Sequence, residues 1–464
     1  MPYRIEHDLL GELKVPAKAY YGVQTQRALE NFALSGVNLQ LFPVFIRALA
    51  EVKLAAALAN RELGILPEAK AEAITRACRE IMDGQWHDQF VVDLIQGGAG
   101  TSTNMNANEV IANRALEILG HEKGEYDHCH PNNDVNLSQS TNDVYPTALK
   151  IALIKMKEEL VEALKLLIAS LRSKSREFEH IIKMGRTQLQ DAVPVTLGQS
   201  FEAYAVTLEE EIDRLNHNAD LFLEINMGGT AIGTGINTSP RYTPLVEKHL
   251  RAVTGLPVIK ARNLIEATQD TGAFIMFSSA VKRLAIKLSK ICNDLRLLSS
   301  GPRAGLNEIN LPPRQPGSSI MPGKVNPVIP EVVNQIAFQV MGNDLTVNLA
   351  VEAGQLELNA FEPIMAASLF ESIKLLRNGM HTLRLRCIDG ITANEEVCRD
   401  YVRHSISIIT LLNPVLGYAT CSELSKQALA ENRSVYELVL EQKLMDQAEL
   451  DRLLAPENMT RPQL

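Results

Sequence analysis

The chain has 464 residues, 46% of them apolar, and a formal net charge of −9. This apolar content excludes a disordered chain, and the length leaves room for one large core or for two to three domains. The excess of acidic residues, without any basic tract, argues against a nucleic-acid partner. An anionic ligand would therefore need local positive groups.

The N-terminal sequence Met1–Glu6 lacks the basic and apolar regions of a signal peptide. No later run approaches the ~18 consecutive apolar residues of a membrane helix, so we expect a cytoplasmic protein with no membrane partner. The six cysteines include no CxxC pair, which indicates neither a disulfide framework nor a zinc site. His128, Cys129 and His130 form one tempting metal cluster, but adjacent ligands seldom converge on one ion, and we expect no metal.

Only the first twenty or so residues have strand-like content, and Leu9–Pro16 predicts a small hairpin there. The segment Gly97–Asn106 is glycine followed by hydroxyls and amides. It lacks the Lys-Ser/Thr ending of a P-loop, so it does not predict a nucleoside triphosphate site. The segment Ser138–Asp143 contains five residues of the types that cap helices, where one cap needs one such residue.

Long runs of apolar residues at steps of three and four predict long helices, the first of them beginning after Pro146. These runs cover residues 149–171, 201–222 and 274–298, and a further stretch, 332–386, is interrupted near Gly354 and Pro363. Helices of this length bury their apolar stripes against one another. The predicted fold is therefore all-α, a long central helix bundle with a small N-terminal domain that carries the hairpin and a small C-terminal helical domain. We place these domains at residues 1–143, 144–392 and 393–464.

Two polar segments separate the predicted helices. Gly185–Asp191 leads through Pro194 into a long helix, and Thr187 and Gln188 are its candidates for ligand contact. Gly228–Gly235 resembles a dinucleotide loop in composition, but no βαβ pattern surrounds it. We interpret it as a turn between helices.

The segment Gly317–Pro327 suits no packed element, because two glycines and two prolines exclude a helix or a central strand. It nevertheless gathers two hydroxyls, an amine and a carboxamide, from Ser318, Ser319, Lys324 and Asn326. Gly317 permits backbone conformations that free N–H groups for a ligand. The alternative is a surface turn with solvated side chains.

Four segments, in the same order along nearly the whole chain, resemble the motifs of the fumarase/aspartase superfamily of lyases: Gly100-Thr101, Ser140–Asp143, Gly185–Thr187 and Gly317–Pro327. Within it the chain is most similar to the aspartases, through Arg4–Gly11, Ala19–Thr25 and Pro327–Gln335, although class II fumarases share some of these residues. The resemblance implies reversible deamination of L-aspartate to fumarate and ammonia, and we expect no cofactor. It also implies a homotetramer whose central helices form one twenty-helix core, with each site composed of segments from three subunits.

The resemblance implies a role for each site residue. Ser318 is the general base, and the alternative is a plain hydrogen-bond donor with the base elsewhere. Substrate-binding residues are Thr101, Ser140, Thr141 and Ser319 around the β-carboxylate, Lys324 and Asn326 at the α-carboxylate, and Asn142, Thr187 and Gln188 near the amino group. Supporting residues are Gly317, Met321, Gly323 and Glu331.

Gln188 distinguishes between members of the superfamily. Fumarases and many others have a histidine after this threonine, paired with a glutamate at the position of Glu331. Hydroxide needs an acid in order to leave, whereas the ammonium group of aspartate already carries its proton. Glutamine is therefore compatible with deamination, and the alternative is a class II fumarate hydratase or another fumarate-releasing lyase. A non-catalytic scaffold would have lost the candidate residues, which are present.

Overall fold

The computed structural model of the chain describes residues 2–462. Helices dominate it, which confirms the predicted all-α fold with minor β decoration. The helices are α1 (Val23–Asn31), α2 (Pro43–Glu62), α3 (Glu68–Met82), α4 (Thr101–Ile118), α5 (Thr141–Glu177), α6 (Leu197–Ala219), α7 (Tyr242–Thr254), α8 (Glu266–Gln269), α9 (Gly272–Leu298), α10 (Val328–Glu352), α11 (Glu362–Arg386), α12 (Glu395–His404), α13 (Asn413–Leu416), α14 (Tyr418–Glu431), α15 (Val435–Glu441), α16 (Gln447–Leu453) and α17 (Pro456–Met459). Among the described residues, no helix combines the length and the apolarity needed to cross a membrane.

The strands are short and pair two by two. They are β1 (Tyr3–Asp8), β2 (Gly11–Pro16), β3 (Ile182–Thr187), β4 (Gln190–Thr196), β5 (Glu224–Ile225), β6 (Ile259–Lys260), β7 (Ile309–Asn310) and β8 (Thr392–Ala393). A hairpin near the N-terminus is confirmed, but it begins before the predicted Leu9, because β1 and β2 pair antiparallel from Tyr3 opposite Pro16 to Asp8 opposite Gly11. Of the other pairs, β5 and β6 are parallel, and β3 with β4 and β7 with β8 are antiparallel.

The hairpin of β3 and β4 is a correction, because we expected strands only near the N-terminus. Its two-residue turn consists of Gln188 and Leu189, whose φ angles are 53° and 62°. Such turns usually carry Asn-Gly or Asp-Gly, so the sequence lacks their signal. Pro194 also indicated a helix start, but it pairs with Met184 within β4, a position that an edge strand tolerates.

The start of α5 is a second correction. This helix begins at Thr141, and Pro146 lies inside it instead of preceding it. A proline in a helix leaves the carbonyl four residues earlier without its N–H donor. Here that carbonyl belongs to Asn142, and it accepts a hydrogen bond of 2.9 Å from Nδ2 of Asn226. This contact between distant parts of the sequence satisfies the carbonyl, so the helix can begin before the proline.

The chain divides into two compact units. The first contains residues up to 161 together with 213–285 and 338–376, and the second contains 162–212, 286–337 and residues from 377 onward. Each of the helices α5, α6, α9, α10 and α11 has residues in both units. The division into three domains at residues 143 and 392 stays a prediction.

Each unit has its own aromatic and aliphatic core. In the first, Phe45 lies 5.6 Å from Tyr145 and 5.2 Å from Phe370 between ring centroids. In the second, a cluster from the C-terminal helices packs with Ile182 and Met184 of β3. The second hairpin is therefore anchored by the C-terminal part of the chain, while its turn stays exposed.

Candidate active site

A cleft of about 390 Å³ lies in the first unit, and uncharged polar side chains dominate its lining. Four segments form it: the start of α1, the start of α4, the chain before α5, and the connection between β5 and α7. It brings together three predicted site residues, Thr101, Ser140 and Thr141. The other lining residues are Gln24, Asn104, Met105, Asn132, Asn136, Ser138, Gln139, Thr230, Ala231, Ile236 and Asn237.

Thr101 owes its place to the tight turn that precedes α4. Gly98, Ala99 and Gly100 all have positive φ angles, of 89°, 54° and 88°. The turn closes with the N–H and the hydroxyl of Thr101 both donating to the carbonyl of Gly98, at 3.0 and 2.8 Å. Tyr145 packs against the turn so closely that a Cβ at Gly100 would overlap its ring.

Gly100→Ala should therefore destabilise the protein through this overlap as well as through its φ angle. The matched control is Gly120→Ala, because Gly120 has a similar φ of 85° but no atom within 4 Å of an added Cβ. We expect Gly100→Ala to lower the free energy of unfolding by about 1–3 kcal/mol more than the control, the usual cost of overpacking. Chemical denaturation of both variants measures the difference. Equal losses in the free energy of unfolding would show that the Tyr145 ring can move aside without destabilising the protein.

Asp143 connects the two walls of the cleft. Its Oδ1 accepts from the N–H of Ser140 at 2.9 Å, and its Oδ2 accepts from the N–H groups of Gly228 and Thr230 at 3.1 and 3.0 Å. The carboxylate is fully buried. Burial raises the pKa of Asp143 to about 6, although the three N–H donors and the charge of Lys53 favour ionisation. The carboxylate therefore fixes the distance between the start of α5 and the segment after β5.

Asn142 lies beside this clamp. Its backbone N–H donates to the hydroxyl of Ser140 at 3.2 Å, and its Nδ2 donates to the carbonyl of Ala231 at 2.7 Å. The amide is thus oriented by the opposite wall of the cleft.

A buried lysine supports the polar side chains behind the cleft. Lys53 has no exposed surface, and its Nζ donates to Oδ1 of Asn136 and Oε1 of Gln139, both at 2.9 Å. Asn104 also donates to Asn136 and to the hydroxyl of Thr141, each at 3.2 Å. Burial lowers the pKa of Lys53 to about 7, opposed by the charge of Asp143. The sequence analysis missed this network, and its one local signal is a lysine within the apolar run of α2.

Thr187 and Gln188 lie at the tip of the second hairpin, in the second unit, and both are exposed. Beneath the tip, Glu308 is fully buried and pairs with Arg186 at 2.5 Å and with Lys183 at 3.1 Å. Arg186 therefore has a structural role. The two ion pairs fix the strand that ends at Thr187.

Glu308→Gln should destabilise the protein strongly, because it leaves two largely buried cations without their counterion. Removing one partner of a buried pair typically costs about 3–5 kcal/mol. Glu423→Gln is the control, since Glu423 and its partner Lys426 are both exposed, and that change should have little effect. Thermal unfolding of the two variants is the measurement. Similar unfolding temperatures would contradict the claim that the ion pairs of Glu308 stabilise the folded protein.

The segment Gly317–Pro327, also in the second unit, forms a closed loop. The N–H of Gly317 donates to the carbonyl of Lys324 at 2.7 Å, and Nδ2 of Asn326 donates to the carbonyl of Gly317 at 2.7 Å. The hydroxyl oxygen of Ser318 accepts from the N–H groups of Ile320 and Met321, at 3.2 and 3.0 Å. Two aligned donors at one oxygen favour a negative charge there.

The remaining loop residues are accessible to a ligand. Ser319, Met321, Gly323 and Lys324 are exposed, and Glu331 is half-buried in the first turn of α10. Gly323 has a φ of 83°, so glycine suits this bend. The structure thus groups the predicted residues into a cleft, a hairpin tip and a loop, and the catalytic and binding roles of these residues stay predictions.

Comparison with known proteins places this arrangement in a family. Residues 11–342 match the lyase family, and residues 408–461 match the fumarase C C-terminus family. An aspartate ammonia-lyase of Pseudomonas aeruginosa is 61% identical over 99% of this chain and 98% of its own length. An aspartate ammonia-lyase of Escherichia coli K12 is 55% identical over 99% of this chain and 96% of its own length.

Solved structures agree with the sequence matches. A fumarate lyase:delta crystallin from Brucella melitensis, bound to cobalt, superposes with a TM-score of 0.97 at 57% identity, covering 99% of this chain and all of that one. A class II fumarase from Schistosoma mansoni superposes with a TM-score of 0.93 at 34% identity over the full length of both chains. The chain therefore belongs to the lyase family that we expected from its motifs, the fumarase/aspartase superfamily.

Proposed function

We propose that the protein is an aspartate ammonia-lyase, which converts L-aspartate reversibly to fumarate and ammonia. The observation that carries this proposal is the 61% identity to an aspartate ammonia-lyase along 99% of the chain. The reaction removes a proton from the carbon beside the β-carboxylate and then releases ammonia from the neighbouring carbon.

The cleft suits the carboxylate on which charge develops. Proton removal places the electron pair of the C–H bond into the β-carboxylate, which becomes a doubly charged aci-carboxylate. Uncharged donors stabilise that charge without binding the ground state too tightly. The hydroxyls of Ser140 and Thr141 in the cleft, and that of Ser319 in the loop, supply such donors, and the hydroxyl of Thr101 becomes one when it turns from the carbonyl of Gly98 toward the ligand.

Ser318 is the proposed base. A hydroxyl takes a proton from carbon only as an alkoxide, and the N–H groups of Ile320 and Met321 already point to this oxygen. The positive charge of Lys324, which lies in the same loop, would bind the α-carboxylate together with Asn326. Collapse of the aci-carboxylate then forms the carbon–carbon double bond and expels the ammonium group as neutral ammonia.

Asn142 and Thr187 are the proposed contacts of the amino group, with Gln188 beside them. Nδ2 of Asn142 already donates to the carbonyl of Ala231. Its Oδ1 is therefore the side-chain atom that remains to accept from an ammonium group. This orientation supports the assignment, because an ammonium group has donors only.

We infer that the active enzyme is a homotetramer in which different subunits supply the cleft, the hairpin tip and the loop. The support is an apolar face on α10, where Phe338, Leu345 and Leu349 are each 61% exposed. Such a face in water favours burial against another copy of the chain. A cytoplasmic location stays a prediction.

The test follows fumarate formation by its ultraviolet absorbance, with L-aspartate and L-malate as parallel substrates. We expect fumarate from L-aspartate only. Fumarate from L-malate alone would favour a hydratase, the function named for the Schistosoma mansoni relative. Silence with both substrates would favour a lyase of a larger adduct or a scaffold.

A further inference from the structure

We propose that Thr230 is a substrate-contacting residue, whose hydroxyl donates a hydrogen bond to the carboxylate held by Thr101, Ser140 and Thr141. It belongs to Gly228–Gly235, the segment that we interpreted as a turn between helices. The inference deepens the proposed function and rests on it. Four features of Thr230 support it: its backbone conformation, its hydroxyl, its position and its attachment to Asp143.

The backbone of Thr230 adopts a conformation that disfavours threonine. Its φ is 55°, in the left-handed region, where a β-branched side chain crowds the backbone. Glycine adopts that conformation freely, and Gly228 and Gly233 of the same segment have positive φ angles of 92° and 96°. A threonine at this position therefore destabilises the fold relative to glycine. Backbone strain of this kind is concentrated at functional sites.

The hydroxyl of Thr230 lacks the partner that a buried polar group needs. Thr230 is 5% exposed, and its Oγ1 has no hydrogen-bond partner among the described residues. Asn104 and Ser138 line the same cleft, and Oδ1 of Asn104 and Oγ of Ser138 are also buried without a hydrogen-bond partner among the described residues. Buried polar atoms are nearly always satisfied, so unpaired atoms grouped around one cleft indicate a polar ligand.

Asp143 brings Thr230 to the predicted carboxylate site. One carboxylate accepts from both Ser140 and Thr230, at 2.9 and 3.0 Å, and so holds the two residues on facing walls. Both residues line the same cleft, and we infer that a ligand oxygen at the hydroxyl of Ser140 is also contacted by Thr230. The hydroxyl of Thr230 is uncharged, like the other hydroxyls of the cleft. Such a donor can stabilise the negative charge that develops on the carboxylate during the reaction.

A purely structural role makes a different prediction. If Thr230 serves only to present its backbone N–H to Asp143, then glycine at this position would do so equally well and without strain. Thr230→Gly, Thr230→Val and Thr230→Ser therefore separate the two roles. The first removes strain and hydroxyl together, the second removes only the hydroxyl, and the third keeps it.

The experiment measures kcat and KM for L-aspartate on the full-length enzyme and its three variants, with thermal unfolding in parallel. We expect kcat/KM to fall about tenfold to hundredfold in Thr230→Val and in Thr230→Gly, the effect of losing a hydrogen bond to a charged group. Thr230→Ser should stay within about threefold of the wild type, and Thr230→Gly should unfold at or above the wild-type temperature. The matched control is Thr238→Val, because the Thr238 hydroxyl already donates to the carbonyl of Gly235 at 2.7 Å.

Near-normal kcat/KM in Thr230→Gly or Thr230→Val would overturn the inference, as would an equal loss in Thr238→Val. Calorimetric titration with succinate, a dicarboxylate without an amino group, separates this result from failure of the proposed function. If the wild type binds succinate but does not deaminate L-aspartate, the proposed function fails, and weaker binding by Thr230→Val still supports the contact. If Thr230→Val binds succinate as the wild type does, or if the wild type does not bind it, the contact is rejected.

Discussion

Ser318→Ala should lower kcat for L-aspartate by about 10²- to 10⁴-fold, the usual contribution of a general base. The change removes the oxygen that accepts from the N–H groups of Ile320 and Met321. It leaves the other hydrogen bonds of the loop, between Gly317, Lys324 and Asn326, in place. Because both orphaned N–H groups are in an exposed part of the loop, water can replace the lost acceptor, and stability and KM should change little.

Steady-state kinetics with L-aspartate checks this expectation, and size-exclusion chromatography verifies that the assembly is retained. Ser299→Ala is the control, since the Ser299 hydroxyl donates to the carbonyl of Arg296 at the end of α9 and has no proposed role. A kcat for Ser318→Ala within tenfold of the wild type would make Ser318 a plain donor and place the base elsewhere.

Asp143→Asn should impair both stability and catalysis, because one buried carboxylate accepts three backbone hydrogen bonds. The amide has one acceptor oxygen, and its NH₂ group would face an N–H donor. The N–H group that loses its acceptor costs about 1–3 kcal/mol in the free energy of unfolding, and removal of the buried charge offsets part of that loss. Since Ser140 and Thr230 would no longer be held on facing walls, kcat/KM should fall by at least about tenfold.

The pH dependence of the wild type provides a second measurement of Asp143. Because burial raises its pKa to about 6, the carboxylate is ionised at pH 7 and becomes protonated below pH 6. Protonation weakens the hold on the three N–H groups, so kcat/KM should decline on the acid side with this pKa, and Asp143→Asn should lack that decline. Asn142→Asp would not serve as a control, because Asn142 is a proposed substrate contact.

Protonation of Asp143 should affect the stability of the protein in the opposite direction from its effect on kcat/KM. The pKa of Asp143 rises from an ordinary value of 3.8 to about 6, so between these values the folded chain holds a proton that the unfolded chain has released. The contribution of this group to the free energy of unfolding therefore grows as the pH falls through that range. A decline in activity caused by Asp143 is thus distinguishable from simple acid unfolding.

Helix periodicity and loop chemistry were readable from the sequence because both are local. The stripe of residues 274–298 is repeated over the whole of α9, and the glycines and prolines of Gly317–Pro327 lie within one short segment. The order of four motifs along the chain indicated the family. Predicting these features does not require knowing which distant residues are in contact.

The features that the sequence did not predict depend on distant contacts. The early start of α5 requires Asn226 to reach the carbonyl of Asn142, 84 positions away. Lys53 supports the cleft from behind only because α2 places it beside Asn136 and Gln139. Thr230 resembled part of an ordinary turn until its hydroxyl was found buried and unpaired.

The tip of the second hairpin has a consequence for how specificity changes over evolutionary time. Gln188 is exposed, lies in a two-residue turn and has a positive φ, a conformation that histidine adopts more readily than most residues. An exchange of glutamine for histidine there disturbs no core and strains no wall of the cleft. Under the proposed roles of the hairpin tip and the cleft, selection can therefore alter the group that leaves the substrate while the residues that recognise the carboxylate, held by buried hydrogen bonds, remain unchanged.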